Sequence, residues 1–204
     1  MRRSNATALL ALAPMFAPTL AFAQTAPTTL SCDGAFAKDS DHARIVTIFG
    51  AANVAYEKID GAEGETIMAT VIFGKDAKRR LEIVWKDEKA RKNPFVMAKG
   101  KDSEWKTEDG IGGGTSVEAI EKQNGKPFKL SGFGWDLGGN VTSLNGGALA
   151  KRKGGCFLGI TFDPGDVANP ALDKVSGDTE FSSSDRNIRA VKPVVSQITI
   201  GWPK

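Results

Sequence analysis

The chain has 204 residues, 41% of them hydrophobic and 25% charged, with 27 Lys and Arg against 24 Asp and Glu. This composition buries the core of one domain or two small ones, and it excludes a disordered chain, a collagen, a coiled coil or a membrane bundle. Setting aside Arg2 and Arg3 leaves 25 basic residues against 24 acidic ones, a net +1, so a nucleic-acid partner has no global electrostatic basis.

The N-terminus reads as an address. Met1-Arg2-Arg3 is a short basic start, residues 8–23 are almost wholly apolar, and Ala21-Phe22-Ala23 is a small-x-small cleavage pattern. Residues 1–23 are therefore predicted to be a signal peptide, leaving residues 24–204 as an exported, periplasmic domain. Pro14 and Pro18 interrupt the apolar run, and no other segment approaches the length of a membrane span, so no transmembrane segment is expected after cleavage. Thr29-Leu30-Ser31 before Cys32 is a poor match to a lipid-attachment box. The export compartment is oxidising, and two cysteines, Cys32 and Cys156, read there as one disulfide. The chain-entropy account values so long a loop at roughly 4–5 kcal/mol as an upper figure. The competing reading, a reactive thiol, needs a base to hold the thiolate, and the one histidine is His42.

Helical spacing places a first short helix over residues 40–50, with Ser40 as N-cap, Gly50 as stop, and Ala43, Val46 and Phe49 on one face beside Ile45 and Ile48. Strand-like stretches follow at 54–59, 65–73, 81–85 and 94–98. In the second and third of these, apolar residues recur with period two. A second helix is expected over 115–124, where Thr115-Ser116-Val117-Glu118 is a capping-box pattern, Val117 and Ile120 point inward and Gly125 stops it. Further strands are expected at 129–131, 141–144, 156–162 and 194–200. Residues 163–186, acidic and rich in Pro, Gly, Ser and Asp, read as a long surface excursion. The result is an α+β protein, two short helices packed on antiparallel β-sheet. Ser40 to Gly50 and Thr115 to Gly125 have the same spacing, which raises the alternative of two tandem helix-plus-sheet repeats, 32–105 and 106–204.

Two resemblances accompany this reading. Residues 105–107, Gly110-Ile111, Gly114-Thr115, Asn124-Gly125-Lys126-Pro127-Phe128 and Gly132-Phe133-Gly134-Trp135-Asp136, together with Phe49-Gly50-Ala51-Ala52-Asn53-Val54, resemble a family of small exported bacterial proteins of uncharacterised function. The family commonly has an aromatic residue where Leu137 stands. A weaker, architectural likeness is to the β-lactamase-inhibitor-protein fold, of which the small lipoprotein of the outer-membrane assembly machine carries a single unit. Those relatives bind proteins and catalyse nothing, so the likeness implies a binding module whose sheets offer a concave face.

Known catalytic patterns are sparse. Gly110, Gly112, Gly113 and Gly114 precede the second helix, yet no Gly-Lys-Ser/Thr follows, so they read as a turn feeding a capped helix rather than a phosphate loop. A histidine-based nucleophile site must use His42, which is expected on the polar side of its helix. Asp163, Asp166 and Asp173 lack the glycine and spacing of a calcium loop, and neither cysteine sits in a CxxC pair, so no metal or cofactor is expected. Asp136 is the one carboxylate in a suggestive setting and is expected to cap a turn. Residues 126–139 form the best candidate site. Phe128, Phe133 and Trp135 lie in a glycine-punctuated run, either as anchors for a partner or packed under a tight bend. The basic surplus in 75–106 and Lys151-Arg152-Lys153 read as solvated strand edges.

The residues singled out for binding are thus Phe133, Trp135 and Asp136. The first functional reading is a non-enzymatic periplasmic binding module with an envelope protein as partner. The alternatives are a carboxylate-dependent hydrolase acting on an envelope polymer and a structural envelope factor.

Overall fold

The computed structural model describes residues 28–61 and 64–203; the expected signal peptide lies outside them. Helix α1 (His42–Phe49) starts one residue later than the spacing predicts, because Asp41 and not Ser40 is its N-cap: the Asp41 carboxylate accepts from the Arg44 amide at 2.8 Å. Ser40 is buried and its hydroxyl donates to the Ala35 carbonyl at 2.5 Å. The buried stripe is Ile45 and Phe49, one turn apart, with Val46 half-buried; Ala43 and Ile48 face outward. Gly50 ends the helix at φ 82°, and the Asn53 side-chain amide donates to the helix-end Phe49 carbonyl at 2.8 Å.

The cap of α2 (Val117–Asn124) also moves by one. Ser116 accepts from the Ala119 amide at 3.3 Å, whereas the Thr115 hydroxyl turns back to the Gly112 carbonyl at 2.7 Å. Glu118 is therefore no capping-box partner and instead faces Arg189 at 3.8 Å. Val117 and Ile120 point inward as expected, and Gly125 stops the helix in the left-handed region at φ 77°. A third helix, α3 (Arg186–Ala190), was not expected. Asp185 caps it, accepting from Asn187 and Ile188 at 2.7 and 3.3 Å.

The main sheet has six strands: β2 (Val54–Asp60), β3 (Thr66–Ile72), β4 (Leu81–Asp87), β5 (Lys92–Lys99), β9 (Phe157–Asp163) and β11 (Val194–Gly201). Their order is β2-β3-β4-β5-β11-β9, and every neighbouring pair is antiparallel. Pro94 is tolerated in β5 because β11 pairs only with Val96 to Lys99. Beside this sheet lies a three-stranded antiparallel one, β10 (Glu180–Ser182), β7 (Lys129–Ser131) and β8 (Val141–Ser143), in the order β10-β7-β8. A short parallel pair joins β1 (Thr29–Leu30) to β6 (Lys106–Thr107).

The fold is α+β, and the two helix-to-strand units differ in three dimensions. The four strands after α1 are consecutive neighbours, whereas those after α2 divide between two sheets. The segment 163–186 is an excursion with structure of its own, since it supplies β10, a 3-10 turn at Leu172–Val175 and the fully buried Val175 and Ser183.

One continuous core spans both halves. From the main sheet it takes Ile72, Leu81, Ile83, Trp85, Val96, Ile160, Phe162, Ile198 and Ile200, and both helices pack on that face. A smaller cluster of Ile59, Ala69 and Val71, with Val84 and Met97, occupies the opposite face. Phe36, Phe49 and Trp105 meet with ring centres 5.9–6.1 Å apart. The Cys32–Cys156 disulfide joins the end of β1 to the start of β9 across 124 residues, with the Cα atoms 5.5 Å apart, so neither thiol is free to react.

His42 is half-buried rather than on a polar surface. Its Nδ1 lies 2.8 Å from the Thr70 hydroxyl, which is fully buried and also accepts the Trp85 indole N–H at 2.8 Å. With Trp85 donating to that oxygen, the hydroxyl proton of Thr70 is left for Nδ1, which suits a neutral imidazole protonated on Nε2. Burial, followed by the Arg91 charge, holds the His42 pKa below the usual value of 6.5. The folded state thus favours the neutral ring, so stability is full above the unfolded pKa of about 6.5 and is lost as pH falls through the lowered folded value. No other histidine titrates in this window, and the other lowered side-chain acids, Asp39 and Glu180, act below it. Urea midpoints measured between pH 7 and 5 are expected to fall for the native chain and to stay level for His42→Gln.

Candidate functional site

The connection between β7 and β8, residues 132–139, contains all three residues singled out for binding. It is fastened on both flanks by main-chain bonds. On one side Phe133 donates to Val175 at 2.8 Å, Gly177 to Phe133 at 2.9 Å and Gly132 to Thr179 at 2.8 Å; on the other, Phe162 of β9 donates to Gly139 at 2.9 Å. Two glycines make this approach possible. A Cβ on Gly132 would lie 2.6–2.7 Å from the carbonyl oxygens of Gly177 and Val175, and one on Gly139, at φ 71°, would collide with the Phe162 carbonyl. The glycine punctuation therefore serves close approach by segments of this same chain.

Within that frame the aromatic residues divide. Phe128 and Phe133 are core residues; Phe128 stacks on Phe162 with centres 5.8 Å apart, and Phe133 is only 3% exposed. Trp135 is 39% exposed, its indole N–H donating to the Gly132 carbonyl at 3.0 Å, and Leu137 beside it is 57% exposed. Asp136 is also exposed, but it does not cap the turn: no described backbone N–H donates to its carboxylate, and the turn closes through Gly138 donating to the Trp135 carbonyl at 2.8 Å.

The loop forms one wall of a cleft of about 520 Å³. Phe133, Trp135 and Asp136 all line it, so the structure brings the three candidates together, with Phe133 contributing from the core side. The opposite wall holds Phe162, Asp163, Pro164 and Leu172. Asp163 is the residue that sequence reasoning missed as a site member. It ends β9, and the pairing of β9 with Gly139 and Asn140 carries it to a loop nearly thirty positions earlier; no local spacing signals that. A second depression, about 780 Å³, shares Asp163 and Pro164 and continues to Lys99, Lys101 and Gln197.

The remaining candidates resolve into structural roles. Gly113 packs its bare Cα against the carbonyls of Gly100 and Lys101, and Gly114 donates to Val195 at 2.8 Å, so the glycine run before α2 is a packing device. Arg152 of the second basic cluster pairs with Asp109. Among the described residues no three His, Cys, Asp or Glu side chains are grouped to hold a metal ion, and no helix is long and apolar enough to cross a membrane.

Comparisons with protein-family models, with curated proteins and with solved structures find no match to this chain.

The two kinds of residue in the loop separate by stability. Gly139→Ala is expected to cost at least about 2 kcal/mol, through the positive φ and the clash with β9. Trp135→Ala is expected to cost about 1 kcal/mol or less. Guanidinium unfolding of the two variants checks this; equal losses would mean that Trp135 is a core residue.

Proposed function

We propose that this protein is an exported, non-enzymatic interaction module that binds an envelope protein through the cleft at Trp135. The observation that carries the reading is an exposed indole on a loop fixed along both flanks. Aromatic side chains at the centre of interfaces contribute most of the binding energy, and a loop already held in place loses little entropy on association. The signal-like residues 1–23 and the Cys32–Cys156 disulfide suit an oxidising compartment outside the cytoplasm. The resemblance to small exported bacterial proteins points the same way. His42 does not line the cleft, so nucleophilic chemistry driven by imidazole has no group to serve it there.

Affinity capture from the envelope of the producing cell, with native protein and a folded Trp135→Ala variant, tests the reading. A partner held by the native protein and weakened at least tenfold by the substitution is expected; equal capture removes Trp135 from the binding surface. One observation favours a second reading, hydrolysis of an envelope polymer: Asp136 and Asp163 line the same cleft, the arrangement a two-carboxylate mechanism uses. That reading requires release of new reducing ends from the polymer by native protein, abolished in both Asp136→Asn and Asp163→Asn.

A further inference from the structure

A different cleft, also about 520 Å³, lies between the start of β2 and the β3–β4 connection, where Val54, Ala55, Phe73, Gly74, Lys75 and Arg79 contribute to its lining. We infer that it binds a carboxylate carried on a short apolar body, with Arg79 as the anchor. The guanidinium carbon of Arg79 sits 3.7 Å from the centre of the Phe73 ring. A guanidinium over an aromatic face makes no hydrogen bond to the ring carbons, which leaves its N–H donors for a fork-shaped acceptor. Among the described residues no carboxylate pairs with Arg79. Its neighbour Arg80 is instead paired with carboxylates, 2.9 Å from Glu82 and 3.6 Å from Glu57, and donates to the Gly74 carbonyl at 3.2 Å.

The anchor is held in place at both ends. The Trp105 indole N–H donates to the Arg79 carbonyl at 2.7 Å, and the Arg79 amide donates to the Asp76 carbonyl at 3.0 Å. Phe73 adopts φ 52°, a left-handed conformation that is costly for an aromatic residue and persists only where its surroundings enforce it. Here they do: its amide donates to Asn53 at 2.8 Å, its carbonyl accepts from Asp76 at 2.9 Å, and its ring meets Phe49 edge-on at 6.2 Å.

The lining is formally balanced, Lys75 and Arg79 against Glu57 and Asp76, so an anion is favoured by which groups are left free to bind it. Lys75 adds a second cation, while the cleft's own carboxylates are engaged, Glu57 with Arg80 and Asp76 with the Lys78 and Arg79 amides at 3.1 and 3.3 Å. Val54, Ala55 and the Phe73 ring supply apolar surface for the body of the ligand. A planar carboxylate matches one guanidinium fork; a phosphate dianion asks for more positive charge than this cleft offers.

The test is an amide and Arg Nε–H chemical-shift titration of the whole protein with four probes: butyrate, N-acetyl-trialanine, its C-terminal amide and inorganic phosphate. Saturable shifts at Gly74, Lys75 and Arg79 are expected with the two carboxylates, weakened at least tenfold in Arg79→Gln and partly restored in Arg79→Lys. Both variants keep the backbone carbonyl that Trp105 holds. Tenfold tighter binding of the peptide than of butyrate identifies a chain terminus as the source, and equal binding identifies a free small acid. Shifts that are indifferent to Arg79→Gln, equal for the peptide amide, equal for phosphate, or absent would overturn the inference.

Discussion

The structure depends on where its last strand goes. β11 does not finish the sheet at an edge but inserts as the fifth of six strands, pairing with β5 on one side and with β9 along seven residue pairs on the other. Its start also receives the loops that lead into α2: Gly100 donates to Ser196 at 2.7 Å, Gly114 to Val195 at 2.8 Å, and Val195 to Thr115 at 2.8 Å. Ile198 and Ile200 enter the core from one face. On the other face, the bare Gly201 admits the rings of Phe95 and Phe157, whose atoms would lie 3.1 and 2.8 Å from an added Cβ. Residues 96–99 therefore pair with residues 197–200, so a mid-chain strand must find the C-terminal one before the sheet is whole.

Everything beyond β11 inherits its position. β9 rests on β11, and the Trp135 loop rests on β9 through Gly139 and Phe162. The disulfide pulls the start of β9 toward β1 and thereby toward the aromatic group of Phe36, Phe49 and Trp105. At the far side of α2, the buried amide of Asn124 donates to Lys126 and Leu144, each at 3.0 Å, and locks the β7–β8 region to the helix end. The cleft at Trp135 is therefore an outgrowth of the central sheet, with both of its walls placed by long-range pairing.

The elements were legible in the sequence because each is a local matter of period and punctuation. Alternation marks β3 and β4, and the glycine stops of α1 and α2 stand where the spacing predicts. Caps were legible only to within a residue, since Ser40-Asp41 and Thr115-Ser116 each offer two competent oxygens and tertiary contacts decide between them: Ala35 claims Ser40, and Gly112 claims Thr115. β10 was hidden in a stretch whose Pro, Gly and Ser content reads as loop, because its order comes from pairing with β7, and α3, which begins where that stretch ends, depends on the Asp185 cap. Phe133, Trp135 and Asp136 were found as a local run. Asp163 was not, and neither was Arg79 over Phe73, because the left-handed φ of Phe73 is imposed by Asn53 and Phe49 and leaves no mark on composition.

The central claim is that the Trp135 loop is a rigid platform whose geometry is set by the sheet beneath it. Native-state hydrogen exchange of the Phe133, Gly139 and Phe162 amides, compared with that of Ile198 in β11, measures this most directly. The account predicts protection of the three within about tenfold of Ile198, because they open only when the sheet opens. Exchange faster by several orders of magnitude at Phe133 and Gly139, with Ile198 still protected, would contradict it and leave Trp135 on a loop that moves independently of the fold.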